Sequence, residues 1–246
     1  MLRHIQSALR EAVRDDATRV GPFLVRFDAD SDNVYSNYAV PEADAEPTDA
    51  DVAALVALFR AKDRVPRLEY VRPVPALDVA LERAGFTVER EYPVMAVEPG
   101  DLRVPDVPDG VELVEPGTDD ELVAATDVQN AAFGVGSLVR EAAIRRQRSM
   151  LSKGAVLLMA LVDGVPAGAG LATAPKDGLA QVAGIGVLER FRGRGIGRLV
   201  TARLSERVFA AGHRPFLETE ADHKVDRVYG PLGYRVVGHS AGVSLT

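Results

Sequence analysis

The feature that most constrains the fold is a glycine-rich turn between an apolar strand and an amphipathic helix. The predicted strand reads LAQVAGIGVL (179–188), and the turn and helix start, RFRGRGIGRLV (190–200), follow it directly. Apolar residues then recur every three or four positions up to Ala211, and Gly212 ends the predicted helix. This order of elements is typical of an α/β unit with a binding site at the helix N-terminus.

The turn is suited to an anion. The first N–H groups of a helix lack internal partners and carry the positive end of the helix dipole. Glycines allow a phosphate to approach these groups, and arginines add charged donors. The residues concerned are Arg192, Gly193, Arg194, Gly195, Ile196, Gly197 and Arg198. The turn predicts a pyrophosphate-type ligand, but a tight turn whose arginines face water stays open as the alternative.

Two common phosphate loops do not fit this turn. A Walker A loop ends in Lys-Ser or Lys-Thr, which the turn lacks, so a magnesium-nucleotide site is not expected. A dinucleotide fingerprint that starts at Gly193 needs glycine or alanine at position 198, where Arg198 stands.

The turn instead resembles the phosphate loop of the GNAT acyltransferase family, whose pattern is Gln/Arg-x-x-Gly-x-Gly/Ala. The segment from Arg192 to Gly197 meets every defined position. The family's later Tyr-x-x-x-Gly-Phe signature is matched by YGPLGY (229–234), and Val187 takes the place of the valine that ends the preceding strand. The resemblance covers residues 108–246 and implies an acyl-CoA ligand.

The resemblance also assigns roles to residues. Acetyl-CoA is implied as co-substrate, with no metal, and an amine as acceptor. Tyr229 stands where the family's general acid protonates the departing thiolate. The implied donor-binding residues are Gly186, Val187, Arg192, Gly193, Arg194, Gly195, Ile196, Gly197, Arg198 and Asp222, the last in place of the family's common asparagine.

Two carboxylates are candidates for the general base. Glu218 and Glu220 alternate with Leu217 and Thr219 in the predicted strand PFLETE (215–220), so both point to one face. Such a base would remove the proton of an amine nucleophile, and surface carboxylates on a half-exposed strand are the alternative. The chain contains no cysteine, which favours direct transfer over a cysteine-bound acyl intermediate.

The first half of the chain resembles a degenerate copy of the second. PRLE (66–69) aligns with PFLE (215–218), and Gly85-Phe86 aligns with Gly233-Tyr234. A helix capped by Thr48 and Asp51 stands where the helix after the glycine turn is expected. The acidic stretch PEADAEPTDAD (41–51) replaces the phosphate loop, and Leu81 replaces Tyr229. We therefore expect a second unit of the same fold without a phosphate site.

These observations predict a mixed α/β protein with two GNAT-like units, each a twisted, largely antiparallel sheet flanked by helices. The expected division is an N-terminal domain at 1–100, a proline-rich linker at 101–109 and an acyl-CoA-binding domain at 110–246. In the latter, Thr118 and Glu121 predict a capped helix, residues 138–152 a second helix, and Asp163-Gly164 a hairpin turn.

Charge and composition narrow the partners. Residues 1–107 hold 20 acidic and 13 basic side chains, whereas 108–246 hold 16 of each, so nucleic acid is not expected and cationic acceptors are favoured. The longest apolar run (155–162) is too short to span a membrane, and a cytoplasmic location is expected.

The four histidines show no metal-ligand spacing. A homodimer is left open.

The expected function is an N-acetyltransferase acting on a small-molecule or peptide amine. Two other classes share the anion site. A non-catalytic acyl-CoA-binding sensor or partner-binding module would bind the donor without turnover, and a nucleotide-binding regulator would prefer ATP or NAD over CoA.

Overall fold

A computed structural model describes residues 1–28, 34–136, 138–220 and 225–246. The described chain folds as two compact units. The first comprises Met1–Val94, a short segment that starts at Glu218, and Val236–Thr246. The second comprises Met95–Leu217 and the segment that ends at Arg235.

The described residues form six α-helices and eleven β-strands. In chain order these are α1 (Leu2–Val13), β1 (Ala17–Val20), β2 (Phe23–Arg26), β3 (Tyr38–Pro41), α2 (Asp49–Ala61), β4 (Arg67–Arg72), α3 (Pro75–Arg83), β5 (Thr87–Ala96), β6 (Val111–Val114), α4 (Asp119–Phe133), α5 (Arg140–Ser152), β7 (Val156–Val162), β8 (Val165–Ala172), β9 (Leu179–Val187), α6 (Ile196–Ala210), β10 (Arg214–Glu218) and β11 (Arg235–Ser244). In this part of the chain, no helix combines the length and apolarity needed to cross a membrane.

The first unit is a sheet of order β1-β2-β3-β4-β11-β5. The hairpins β1-β2 and β2-β3 are antiparallel, β3 and β4 are parallel, and β11 runs antiparallel to β4 with Ala241 opposite Tyr70. One face is covered by α2 and α3, whose Phe59 and Leu77 are fully buried in the core. The predicted start of α2 is confirmed by the capping box of Thr48 and Asp51.

The second unit is a sheet of order β10-β9-β8-β7-β6, antiparallel except for β9 and β10. Two predicted features are confirmed: the capping box of Thr118 and Glu121 starts α4, and the hairpin between β7 and β8 turns at Asp163-Gly164. Both turn residues have positive φ, 50° and 78°, as a type I′ turn requires. Helix α6 packs its apolar stripe on one core, and α4 packs on another.

The two units repeat one succession of elements, as the alignment predicts. In each, antiparallel hairpins lead to a strand, a helix and a parallel strand: β3-α2-β4 in the first unit and β9-α6-β10 in the second. The helical segment that follows the parallel strand ends with the same backbone hydrogen bond in both units, from the N–H of one residue to the carbonyl five positions earlier. The N–H of Phe86 donates to the carbonyl of Leu81 at 3.0 Å, and that of Tyr234 donates to the carbonyl of Tyr229 at 3.2 Å. Leu81 thus occupies the backbone position of Tyr229.

Three predicted elements differ from the structure in extent or type. Helix α5, predicted from about 138, begins at Arg140, and β10, predicted to reach 220, ends at Glu218. The single short helix predicted from Asp222 to Leu232 is, where described, a π-helical turn at Val225–Tyr229 followed by a 3₁₀ turn at Gly230–Leu232. Pro231 lacks an N–H group, so it cannot extend the helical bonding of the preceding turn.

The compact units follow a different division from the predicted domains. Strand β11 lies in the first unit from Val236 onward, although it belongs to the second repeat by sequence. The proposed linker lies within the second unit, where the N–H of Arg103 donates to the carbonyl of Leu232 at 3.0 Å. Leu102 and Val104 pack against that unit's core. The predicted division into domains at 1–100 and 110–246, with a linker at 101–109, stays a prediction.

Candidate functional site

The glycine-rich turn lines a groove of about 620 Å³ in the second unit. Three parts of the chain enclose it: the end of β9 with the following turn, the C-terminal end of α4, and the π-helical turn. The lining residues are Ala132, Phe133, Ile185, Val187, Phe191, Arg192, Gly193, Gly195, Ile196, Gly197, Arg198, Arg227, Val228 and Tyr229. The lining therefore combines a glycine-rich turn, three arginines, several apolar side chains and one tyrosine.

The turn presents its backbone to this groove. Gly193 and Gly195 have φ values of 79° and 80°, a conformation that strains any residue with a Cβ. Gly195 is the N-cap of α6 and makes no side-chain cap, and the helix carries no acidic residue in its first turn. A Cβ at Gly193 would meet nothing within 4 Å. The turn is thus accessible to a ligand at Gly193, and it leads directly into the positively charged N-terminal end of α6.

The predicted arginines differ in what they contact. The Arg192 guanidinium donates through Nε to the carbonyl of Val187 at 3.2 Å and through Nη2 to that of Ala132 at 3.3 Å. It therefore joins the turn to the end of β9 and to α4. Arg194 and Arg198 are exposed, and Arg198 lines the groove. The prediction that all three arginines bind the anion stays a prediction. Arg192 also donates to two backbone carbonyls, so among the described residues it has a positioning role that Arg194 and Arg198 are not seen to share.

Replacement of Arg192 by alanine is expected to weaken CoA binding about tenfold by loosening the turn. The two lost bonds to carbonyls are worth on the order of 1–3 kcal/mol in total. Titration of CoA at 50 and 200 mM salt checks this, with Arg194→Ala as the control. Arg194→Ala is expected to flatten the salt dependence of CoA affinity, whereas Arg192→Ala should leave its slope close to that of the unaltered chain. Equal flattening in both variants would contradict the positioning role.

The strand before the turn carries a β-bulge. Ala169 pairs with Gly186 and Leu171 with Ala183, so two residues of β9 oppose one residue of β8. Gln129 on α4 donates from Nε2 to the carbonyl of Gly184 at 2.8 Å. A Cβ at Gly186 would lie 2.8 Å from that of Ala132. Gly186 thus serves the close packing of α4 on β9, while Val187 lines the groove.

Tyr229 lines the groove and is 9% exposed. Its ring packs edge to face on that of Tyr234, with centroids 6.4 Å apart. The Tyr234 hydroxyl bonds to Ser205 Oγ at 2.7 Å, and Ser205 donates to the carbonyl of Thr201 at 2.8 Å. Burial raises the pKa of Tyr234, so it stays neutral at physiological pH. Of the two tyrosines, Tyr229 is the one that reaches the groove.

The two carboxylate candidates belong to the first unit. Glu218 is the last residue of β10 and is half-buried, whereas Glu220 lies beyond the strand and is exposed. Thr219 between them is buried and donates its N–H to the carbonyl of Pro93 at 3.1 Å. The exposed and buried positions therefore alternate as predicted, although the strand itself is shorter. Asp222 lies outside the described residues.

Sequence reasoning missed part of the groove. Phe191, Arg227 and Val228 adjoin predicted site residues, so their proximity in sequence was an available signal. Ala132 and Phe133 carry no such signal, because they approach β9 from a helix that lies far earlier in the chain. Among the residues that the structure describes, no group of three or more His, Asp or Glu side chains is placed to hold a metal ion.

Comparison with known proteins agrees with this geometry. The sequence profile of the acetyltransferase (GNAT) family matches residues 123–234. A GCN5-related N-acetyltransferase from Kribbella flavida is 28% identical, with a TM-score of 0.82 over 99% of this chain and 95% of that one. No curated protein matches the chain.

Two more distant structures share the fold. A GCN5-related N-acetyltransferase from Sphaerobacter thermophilus is 16% identical, with a TM-score of 0.70 over 99% of this chain and 90% of that one. A tandem GNAT protein from the clavulanic acid biosynthesis pathway is 16% identical, with a TM-score of 0.66 over 85% of this chain and 74% of that one. The groove, the turn and the profile match lead to one conclusion: residues 123–234 form a domain of the GNAT family of acyltransferases.

Proposed function

We propose that the chain is an N-acetyltransferase that transfers the acetyl group of acetyl-CoA directly to a primary amine. The observation that carries the proposal is the groove itself, which joins an open glycine turn at the N-terminus of α6 to a buried tyrosine. The glycine turn and the arginines of the lining suit the phosphates of CoA, and the apolar side chains of the lining suit its acyl-bearing arm. Acetyl-CoA supplies the activated thioester.

The donor is held by backbone and by charge. In the proposed complex, the N–H groups of the turn at 193–197 bind the phosphates of CoA, and the exposed Arg194 and Arg198 add charge-assisted donors. Arg192 keeps the turn against Val187 and Ala132. The bulge in β9 takes Gly184 and Ile185 out of regular ladder pairing. The carbonyl of Gly184 accepts from Gln129, whereas Ile185 lines the groove, where its backbone is the proposed partner for an amide of the donor.

The chemistry then requires two proton transfers. An amine with a pKa of about 10.4 is mostly protonated near neutral pH, and its deprotonation costs roughly 4–5 kcal/mol. Glu218 or Glu220 is the proposed base, and the predominance of acidic groups in residues 1–107 favours a cationic acceptor. Tyr229 is the proposed acid, because a thiolate leaving group near pKa 8.5 accepts a proton from a phenol positioned at hydrogen-bond distance.

Ligand-dependent thermal unfolding tests the donor assignment. Acetyl-CoA and CoA at 100 times their dissociation constants are each expected to stabilise the chain by about 2.7 kcal/mol, whereas ATP and NAD are expected to leave it unchanged. Release of free thiol from acetyl-CoA, measured with a panel of amines, then tests transfer. Stabilisation by ATP or NAD but not CoA would overturn the proposal. Binding of acetyl-CoA with no amine-dependent thiol release across the panel would favour a non-catalytic module.

A further inference from the structure

The first unit carries an open groove between α2 and α3, with a volume of about 640 Å³. Helix α2 lines it from Asp49 to Arg60, α3 lines it with Ala80 and Arg83, and Leu245 closes it from the chain after β11. Most of the lining is apolar and made of small side chains. The proposed acetyl transfer uses none of these residues, so the groove has no assigned role.

One stripe of α2 faces this groove, and its two ends carry opposite charges. The residues of this α2 stripe are Asp49, Ala53, Val56, Ala57 and Arg60, whose spacing places them on one side of the helix. Asp49 begins the helix and Arg60 lies in its last turn, so about 16 Å of helix separates the two charges. Between them, Ala53 and Ala57 are exposed and Val56 is half-buried. The stripe is therefore acidic at one end, apolar in the middle and basic at the other end.

The two charges of the α2 stripe differ in the partners that one chain gives them. Asp49 accepts a hydrogen bond from Arg83 at 3.1 Å, and both side chains are well exposed. Arg60 is exposed and forms no ion pair with any residue that the structure describes. A carboxylate accepts several hydrogen bonds, so Asp49 has capacity for a second cation beside Arg83. One chain therefore leaves a cation unpaired and a carboxylate able to accept more, at opposite ends of one apolar stripe.

The α2 stripe is complementary to itself when its direction is reversed. A two-fold axis that crosses α2 between positions 54 and 55 sets Asp49 of each copy opposite Arg60 of the other, and Ala53 opposite Val56. Small side chains at the centre allow two helices to approach closely, and antiparallel helices oppose their dipoles favourably. A symmetric parallel pair would instead bring like charges together.

We propose that the groove between α2 and α3 is the interface of a symmetric homodimer, in which the α2 stripes of two copies pack antiparallel. The occupant is a second copy of this chain, because the stripe itself supplies both charges of two equivalent ion pairs. Each pair joins Asp49 of one copy to Arg60 of the other. The contact is centred on one short helix and its ion pairs are exposed, so a dissociation constant in the micromolar range is expected.

Sedimentation velocity of the full chain, from about 1 to about 500 µM, tests the dimer. Asp49→Arg and Arg60→Asp each place like charges at both ion-pair positions, so each variant alone is expected to dimerise at least tenfold more weakly. An equimolar mixture of the two variants joins opposite charges again at both positions. It is expected to form a heterodimer with an affinity within about threefold of that of the unaltered chain. Arg60→Asp leaves the bond between Asp49 and Arg83 in place, so it tests the interface even if Asp49→Arg fails to fold.

Introduced thiols give a second readout, because the chain contains no cysteine of its own. Ala53→Cys lies close to the proposed axis, so oxidation with diamide is expected to link two copies by a disulfide. Ala54→Cys is the matched control. Ala54 is also an exposed alanine of α2, but it lies about 100° further round the helix and does not line the groove. At equal protein concentration, Ala54→Cys is expected to yield at least tenfold less linked dimer, because its thiols point away from each other.

Three results would each overturn the proposal. A chain that stays monomeric over the whole concentration range would leave the groove to a different occupant. A mixture of the two folded charge variants that does not associate would contradict the antiparallel pairing. Equal disulfide yields at positions 53 and 54 would place any dimer contact elsewhere.

Discussion

Glutamate in place of Gly195 is expected to lower CoA affinity at least 100-fold while the chain stays folded. A 100-fold loss corresponds to about 2.7 kcal/mol. The new carboxylate would stand at the N-cap of α6, where it competes with the phosphates for the same N–H groups and repels them. Calorimetric titration with CoA measures the affinity, and circular dichroism measures the fold. A Cβ at this position meets only the end of Arg198, 4.0 Å away, so the site has room for the side chain.

The matched control is Gly212→Glu. Gly212 follows the other end of α6, has the same φ of 80°, and has nothing within 4 Å of a Cβ. A residue with a Cβ is strained at this φ, so both variants lose on the order of 1–3 kcal/mol of stability to backbone strain. Both also add the same negative charge. We expect Gly212→Glu to lose slightly more stability than Gly195→Glu, because its carboxylate stands at the negative end of the helix dipole. It is expected to keep CoA affinity within about twofold, since the dipole effect of a charge falls off within the last turn and does not reach the groove. Retained CoA binding in Gly195→Glu would show that the glycines only make a turn.

The local features of this fold were predictable because each depends on a few adjacent residues. Thr118 with Glu121 and Thr48 with Asp51 satisfy helix N–H groups within one turn of chain, so their spacing is sufficient evidence. Asp163-Gly164 fits a turn that needs two positive φ values. The accessible backbone of the glycine turn was predictable for the same reason, because the glycines of the turn are themselves what leaves that backbone uncovered.

The long-range features were not predictable in this way. The placement of β11 beside β4 joins Ala241 to Tyr70, and no local pattern in either segment specifies the partner. The bond from Arg192 to the carbonyl of Ala132 spans 60 residues, so the motif gave no sign of this contact, while the predicted role of Arg192 as a phosphate donor stays a prediction. Gln6 is the clearest case, because a glutamine on an N-terminal helix gives no sign that it bridges two strands.

Tyr229→Phe is expected to lower kcat about 100-fold or more and to change CoA affinity less than threefold. The substitution keeps the ring, its burial and its edge-to-face contact with Tyr234, and it removes only the hydroxyl that would protonate the leaving thiolate. General acid catalysis contributes on the order of 100- to 10,000-fold, whereas ground-state binding of the donor depends mainly on the turn. Steady-state kinetics with the amine found in the panel, together with CoA titration, separates the two effects.

Tyr234→Phe is the control that distinguishes catalysis from packing. It also removes one hydroxyl from the same pair of rings, but that hydroxyl bonds to Ser205 inside the core. We expect it to destabilise the chain by about 1 kcal/mol and to leave kcat within about threefold. If both variants lost stability equally and neither lost turnover, Tyr229 would be a core residue that happens to border the groove. If only Tyr229→Phe lost turnover, and its loss grew with the pKa of the leaving thiol in a series of acetyl thioesters, the phenol would be the acid, because a poorer leaving group depends more on protonation.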